Sequence, residues 1–175
     1  MAKVRKMLGS ADSSYILSLM GLIETQSQTT IANWCMDYAE KFLLPIYKSI
    51  YPEDDCLQNT LNASRAWQAG ELKLPVVKKL IQEVRNAAKE AEENPAAQAA
   101  ARAVGQAAAS IHTSTNALGI AFYGAAAVAY SRVGTQEAPE IYEVIAAEEC
   151  AKMEAALRAV AVEDEENPAK INWYC

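Results

Sequence analysis

Residues 94–134 read NPAAQAAARAVGQAAASIHTSTNALGIAFYGAAAVAYSRVG, and this stretch decides the fold. Between Arg102 and Arg132 it contains no charged side chain. Alanine is the best helix former and a poor strand former. Asn94-Pro95 supplies an N-cap followed by a proline at the first helical position. The polar group His112-Thr113-Ser114-Thr115-Asn116 divides the run in two. The pattern predicts two alanine-rich helices, about 95–112 and about 115–132. Side chains this small let helix axes approach closely, as at Ala121, Ala125 and Ala129 on successive i+4 steps, so this pair is expected at the centre of the fold. The apolar part after the polar group, 117–130, falls short of the roughly 20 residues a bilayer requires. Two buried core helices account for the stretch better than a membrane span.

Working outward, apolar spacing at i, i+3, i+4 and i+7 predicts further helices. The first spans about 14–24, capped by Asp12 or Ser13, with Tyr15, Leu19, Leu22 and Ile23 inward. The link Gln26–Thr30 is rich in capping side chains. A second helix follows a cap at Thr29 or Thr30 and turns Ile31, Trp34, Cys35, Tyr38 and Phe42 to one face. Pro45 should end or kink it, although Ile46–Tyr51 could continue it. An aspartate of Tyr51-Pro52-Glu53-Asp54-Asp55 caps a third helix, about 55–69, with Cys56, Leu57, Leu61 and Ser64 inward and Gly70 just past its end. Leu74-Pro75 opens a fourth, whose apolar face holds Val76, Val77, Leu80, Ile81, Val84, Ala87, Ala88 and Ala91. A last long helix, about 138–162, starts at Pro139 with Ile141, Val144, Ile145, Met153, Leu157 and Val160 inward. Glu-Glu-Asn-Pro-Ala occurs at 92–96 and again at 165–169, read as one helix-start signal used twice. Ile171, Trp173 and Tyr174 should dock the tail back. The expectation is an all-α fold, a bundle of about seven helices around the two alanine-rich ones.

Composition agrees. The chain has 175 residues, 34 of them alanine, against 7 glycines and 6 prolines. That excludes all-β, collagen-like and disordered classes, and the length suits one domain. The cysteines at 35, 56, 150 and 175 share no metal-ligand spacing and read as free thiols in a reducing compartment. His112 is the only histidine, so a histidine-dependent zinc site, a Glu-x-x-His di-iron bundle and a conventional triad lack residues. No GxSxG, GxxxxGK[ST] or GxGxxG occurs. Lys3, Arg5 and Lys6 before 15–23 faintly imitate a signal peptide, but no small-x-small cleavage site follows. An amphipathic first helix is the expectation.

Charge is uneven. Residues 1–134 hold 13 basic and 12 acidic groups, a net of +1; residues 135–175 hold 3 and 10, a net of −7. Such an acidic end repels nucleic acid and attracts basic protein surfaces. Single residues weigh less. His112 reads as a half-buried histidine bonded to a nearby hydroxyl or carbonyl, or as a pocket group at the junction of the central helices. Trp67 reads as core and Arg65 as a partner for carboxylates or carbonyls. Arg102, Gln106 and Ser110 form a polar seam. Tyr123 and Tyr130 share a face. Glu148 and Glu149 diverge by about 100° and read as a solvated acidic surface.

The order Trp34-Cys35-x-x-Tyr38-Ala39-Glu40, Leu44-Pro45-Ile46-Tyr47, Tyr51-Pro52-x-Asp54 and Ala63-x-Arg65-Ala66-Trp67-x-x-Gly70 resembles the small helical immunity proteins of bacterial polymorphic toxin systems, the immunity-five-like group. So do Ala97-x-Ala99-Ala100-Ala101-Arg102-Ala103-x-Gly105-Gln106-Ala107, Ile111-His112 and Ala117-Leu118-Gly119-x-Ala121-x-Tyr123. Where some relatives place a second histidine before Ala-Leu-Gly, this chain has Asn116. The resemblance covers about 12–134; residues 1–134 read as an immunity-like helical domain, and 135–175 as an acidic helix and tail packed on the same domain. It implies a cytoplasmic antitoxin that binds a cognate protein toxin without catalysis, cofactor, metal, nucleic acid or membrane. Glu137, Glu140, Glu143, Glu148 and Glu149 are the candidate partner-binding face. The rival reading is a small-molecule-binding protein or enzyme with a pocket near Arg65, Trp67, Arg102, His112 and Tyr123. A homodimer through exposed alanine stripes is a third reading.

Overall fold

The computed structural model of the protein describes residues 3–173. Its elements are helical throughout: α1 (Ser14–Ile23), α2 (Gln28–Tyr38), α3 (Leu44–Ile50), α4 (Cys56–Gln68), α5 (Leu74–Glu90), α6 (Pro95–Ala109), α7 (Gly119–Val133) and α8 (Pro139–Val160). A π turn at Ala39–Leu43 joins α2 directly to α3, so the eight segments make seven rods. The all-α bundle read from the sequence is the fold. Helix α6 buries residues on every side, among them Ala97, Ala100, Ala101, Ala103, Val104, Ala107 and Ala108. An α-helix apolar all round is a core rod. Its most extensive contact is with α7; α5 covers it from another side, and α8 packs on α7 and α1. Helices α6 and α7 approach tightly at Gly119, where an added Cβ would lie 2.5 Å from Gln106 Cγ. Because the alanines of α7 and those of α6 from Ala97 onward are all buried, no alanine stripe is left on those helices for a second copy.

Several local expectations change. Helix α6 stops at Ala109, not at about 112, and Ser114–Leu118 winds as a 3₁₀ turn before α7. Ser27, not Thr29 or Thr30, caps α2, accepting from Thr30 N–H at 3.2 Å. Pro45 does not end its helix. A proline ring clashes with the carbonyl four residues back in an ordinary helix, and the wider turn just before it, closed by Leu44 N–H on Ala39 O, removes that conflict. Gly70 does stand just past α4 with φ +77°, and the next amide, Glu71 N–H, reaches back to Ala66 O at 2.9 Å, a glycine-terminated helix end. The second Glu-Glu-Asn-Pro-Ala starts no helix among the described residues. At 92–96 it precedes an alanine run; at 165–169 it precedes Lys-Ile-Asn-Trp, which cannot propagate a costly nucleus.

The inward faces also shift. Val76 is exposed, as are Ile141, Val144 and Val160 on α8. Helix α8 buries Ile145, Ala146, Glu149, Cys150, Met153 and Leu157. At 100° per residue, Val144 lies roughly opposite that stripe, while Ile141 and Val160 sit in the end turns.

The tail is anchored through Gln26, which is buried. Its side chain accepts from Val162 N–H at 2.7 Å and donates to Val162 O at 3.2 Å, and its own carbonyl accepts from Ala169 N–H at 2.8 Å. Ala169, Ile171 and Trp173 pack against the core, and the Trp173 indole donates to Glu24; Tyr174 and Cys175 lie outside the described residues. Replacing Gln26 with alanine should cost about 1–2 kcal/mol in thermal denaturation, since two backbone groups lose their partner. Faster proteolysis after residue 160 should accompany the loss.

Candidate functional site

The side chains marked in the sequence fall into four places. Arg65, late in α4, reaches across to α2 and the π turn. It pairs with Asp37 at 2.9 Å and with Glu40 through a short hydrogen bond. Burial works against the Arg65 charge, but the bonds to Glu40 and Asp37 outweigh it and raise its pKa. This arginine is a brace, committed to its own chain. Trp67, two residues on, lines a separate shallow cleft with Gln28, Leu72 and Ile111.

His112 lies beyond the end of α6, half-buried, with Nδ1 2.8 Å from Thr113 Oγ1. Burial lowers its pKa, and the nearby charges of Lys78 and Arg85 lower it further. It stands in a positive field with no carboxylate partner, so it is not equipped as half of an acid–base pair.

Arg102 and Tyr123 do come together. They line a cleft of about 320 Å³ with Lys6, Arg85, Lys89 and Gln106. A second cleft of about 500 Å³ continues from it, sharing Lys6, Lys89 and Arg102 and adding Lys3, Arg5 and Glu92. The N-terminal arm forms one wall. It is pinned where Leu8 N–H bonds to Phe122 O at 3.2 Å and Tyr130 O–H to Arg5 O at 2.6 Å. The sequence had marked Arg102, Gln106 and Tyr123. Lys6 stood out there only as part of a basic start and Lys89 only as part of a polar helix face; the sequence carries no signal that brings them and Arg85 to Arg102 beyond the i, i+4 spacing of Arg85 and Lys89.

The acidic residues divide. Glu137, Glu140, Glu143 and Glu148 are exposed. Glu143 accepts from the Tyr15 hydroxyl at 2.7 Å, which ties α8 to α1. Glu148 lies 4.0 Å from Arg132. Glu149 is a correction to the solvated surface: it is 1% exposed. Its carboxylate meets Arg132 of α7 at 3.2 Å and Lys152 at 3.5 Å, each of these cations half-exposed. Lys152 also sits 4.9 Å from the centroid of the Phe42 ring, in the π turn. Beside them the Tyr38 hydroxyl and Glu149 Oε2 are buried without a hydrogen-bond partner among the described residues. Burial pushes the Tyr38 hydroxyl up, and the Glu149 charge adds to the shift. Neighbouring glutamates 148 and 149 thus have opposite fates, because only the second lies on the buried stripe of α8.

The thiols are quiet. Burial raises Cys35, and pushes Cys150 up to about 12. Cys56 is also raised by burial. Among the described residues no group of three or more His, Cys, Asp or Glu side chains could hold a metal ion, and no helix is long and apolar enough to cross a membrane.

The N-terminal half of α8 exposes apolar side chains among carboxylates. Ile141 and Val144 are 39% and 57% exposed there, set among Glu137, Glu140 and Glu148. Comparison with known families finds a match over residues 21–156, to a family described as Imm-5 like putative immunity protein. No curated protein and no solved structure matches the chain.

Proposed function

The chain belongs to the Imm-5 like putative immunity protein family, and on that premise we propose that it neutralises a cognate toxin domain by binding it, without catalysis, in the cytoplasm of the cell it protects. The docking surface is the N-terminal half of α8. The observation that carries this placement is the exposure of Ile141 and Val144 on a helix whose other side is fully committed to the core. Two apolar side chains ringed by carboxylates give a partner both things it needs. The apolar pair supplies area that is desolvated on contact, where binding energy concentrates. Glu137, Glu140, Glu143 and Glu148 attract a basic surface, raising the encounter rate and setting orientation. Glu149 is outside this role, being enclosed by Arg132 and Lys152.

The test uses the variable C-terminal domain of a large secreted protein encoded beside this gene, where one is found. Co-production of the wild-type chain should rescue growth of cells making that domain. Ile141→Asp with Val144→Asp should weaken the complex at least about tenfold, mainly by faster dissociation. Changing Glu137, Glu140, Glu143 and Glu148 to glutamine should slow association and flatten its dependence on salt. Failure of the wild type to rescue rejects the immunity role. Rescue with unchanged affinity in both variants rejects the surface.

A further inference from the structure

We propose that the cationic cleft between the N-terminal arm, α5 and α6 binds a small phosphate-bearing anion, of the pyrophosphate or nucleoside-triphosphate kind. The argument begins with an imbalance. The chain holds 22 acidic and 16 basic residues, so carboxylates are plentiful. Yet Lys3, Arg5, Lys6, Arg85, Lys89 and Arg102 line two continuous clefts in which Glu92 is the one acidic residue. None of the six forms an ion pair within 4 Å among the described residues, as is also true of Lys41, Lys73, Lys78, Lys79 and Lys170; what sets the six apart is that they share one concavity. Six like charges on one concavity repel each other. Arg102 is the least exposed of the six, and burial makes an unpaired charge costly.

The donors are unspent as well as the charges. The Gln98 amide is committed to Ala88 O and the Tyr130 hydroxyl to Arg5 O. The side chains of Arg102, Gln106 and Tyr123 have no hydrogen-bond partner among the described residues. The Arg102 guanidinium fork, an amide and a phenol, beside ammonium groups on the arm and on α5, match the several oxygens of a phosphate chain. A lone carboxylate would leave most of these donors unused. The clefts measure about 320 and about 500 Å³, within the range of small-molecule sites. The ligand is small rather than a nucleic acid, because six cations share a concavity of small-molecule size. The molecule as a whole carries −6, which opposes a long polyanion running over its surface.

The experiment is calorimetric titration of the full chain at low salt with inorganic pyrophosphate and, separately, with adenosine triphosphate. Both should bind with Kd near or below about 1 mM. Arg102→Gln and Lys89→Gln should each weaken binding about tenfold, while Lys79→Gln, exposed on α5 and outside the cleft, should leave it unchanged. Without ligand, Arg102→Gln should hold or raise the melting temperature, since it relieves repulsion; that readout separates a ligand role from a structural one. Tighter binding of the nucleotide than of pyrophosphate would place the base against Tyr123; equal binding would mean that phosphate alone is read. Three results overturn the proposal: no binding of either anion by about 5 mM, affinity retained when Arg102 and Lys89 are both changed, or a short single-stranded RNA binding more than about tenfold tighter than the nucleotide.

Discussion

Replacing Arg132 and Lys152 together with methionine should destabilise the protein by about 3–5 kcal/mol, lowering its melting temperature by roughly 10 °C. Both cations are half-exposed and neither is worth much alone. Their effect comes from what they enclose. Glu149 is 1% exposed, and these two side chains supply its ion pairs. With both gone, a carboxylate remains among Tyr38, Phe42 and Val128 with nothing to balance its charge, and removing the partners of a buried ion costs far more than forming the pair gained. Adding Glu149→Gln to the double variant should recover at least half of the loss. That recovery is the decisive measurement. If the triple variant is no more stable than the double one, the damage comes from lost packing of the two long side chains, and the charge account fails.

Ala107→Leu should cost about 2–3 kcal/mol, or about 5–10 °C in melting temperature, and more than Ala107→Gly. Ala107 is completely buried on α6, and protein interiors are packed too densely to absorb three extra heavy atoms without displacing backbone. Glycine leaves only a methyl-sized void and a helix penalty of about 1 kcal/mol. A loosely filled core would reverse the order, because leucine would then gain buried area. Thermal denaturation of the two variants side by side decides between these accounts.

These two predictions also mark what a reader of the sequence could and could not see. The alanine rods were legible because composition, proline placement at Pro75, Pro95 and Pro139, and the glycine after α4 are local signals that act within a turn or two. So was the amphipathic stripe of α5, apart from Val76. The surroundings of Glu149 were not legible. Its exposure depends on Arg132, seventeen residues earlier, and on the angle at which α8 lies across α7. The exposure of Val144 has the same origin: apolar residues at 141, 144 and 145 fit more than one helical stripe, and packing chose the one through Ile145, Glu149 and Met153. The cationic cleft was half legible. Arg102 and Tyr123 drew notice as polar features in apolar helices. Lys6, Arg85 and Lys89 meet them only once the arm folds back over α7.

The wide turn at Ala39–Leu43 has a consequence for how this chain tolerates changes in length. Winding there takes one residue more than an ordinary turn, so the segment acts as a phase adjuster between Trp34 and Tyr38 upstream and Leu44 and Tyr47 downstream. Deleting a single residue would restore regular winding and swing everything beyond it by about 100°. Contacts that cross the segment would be lost: Arg65, downstream on α4, would leave Asp37, upstream on α2, which it now meets at 2.9 Å. The number of residues in this segment is therefore set by rotation, not by the distance it has to span.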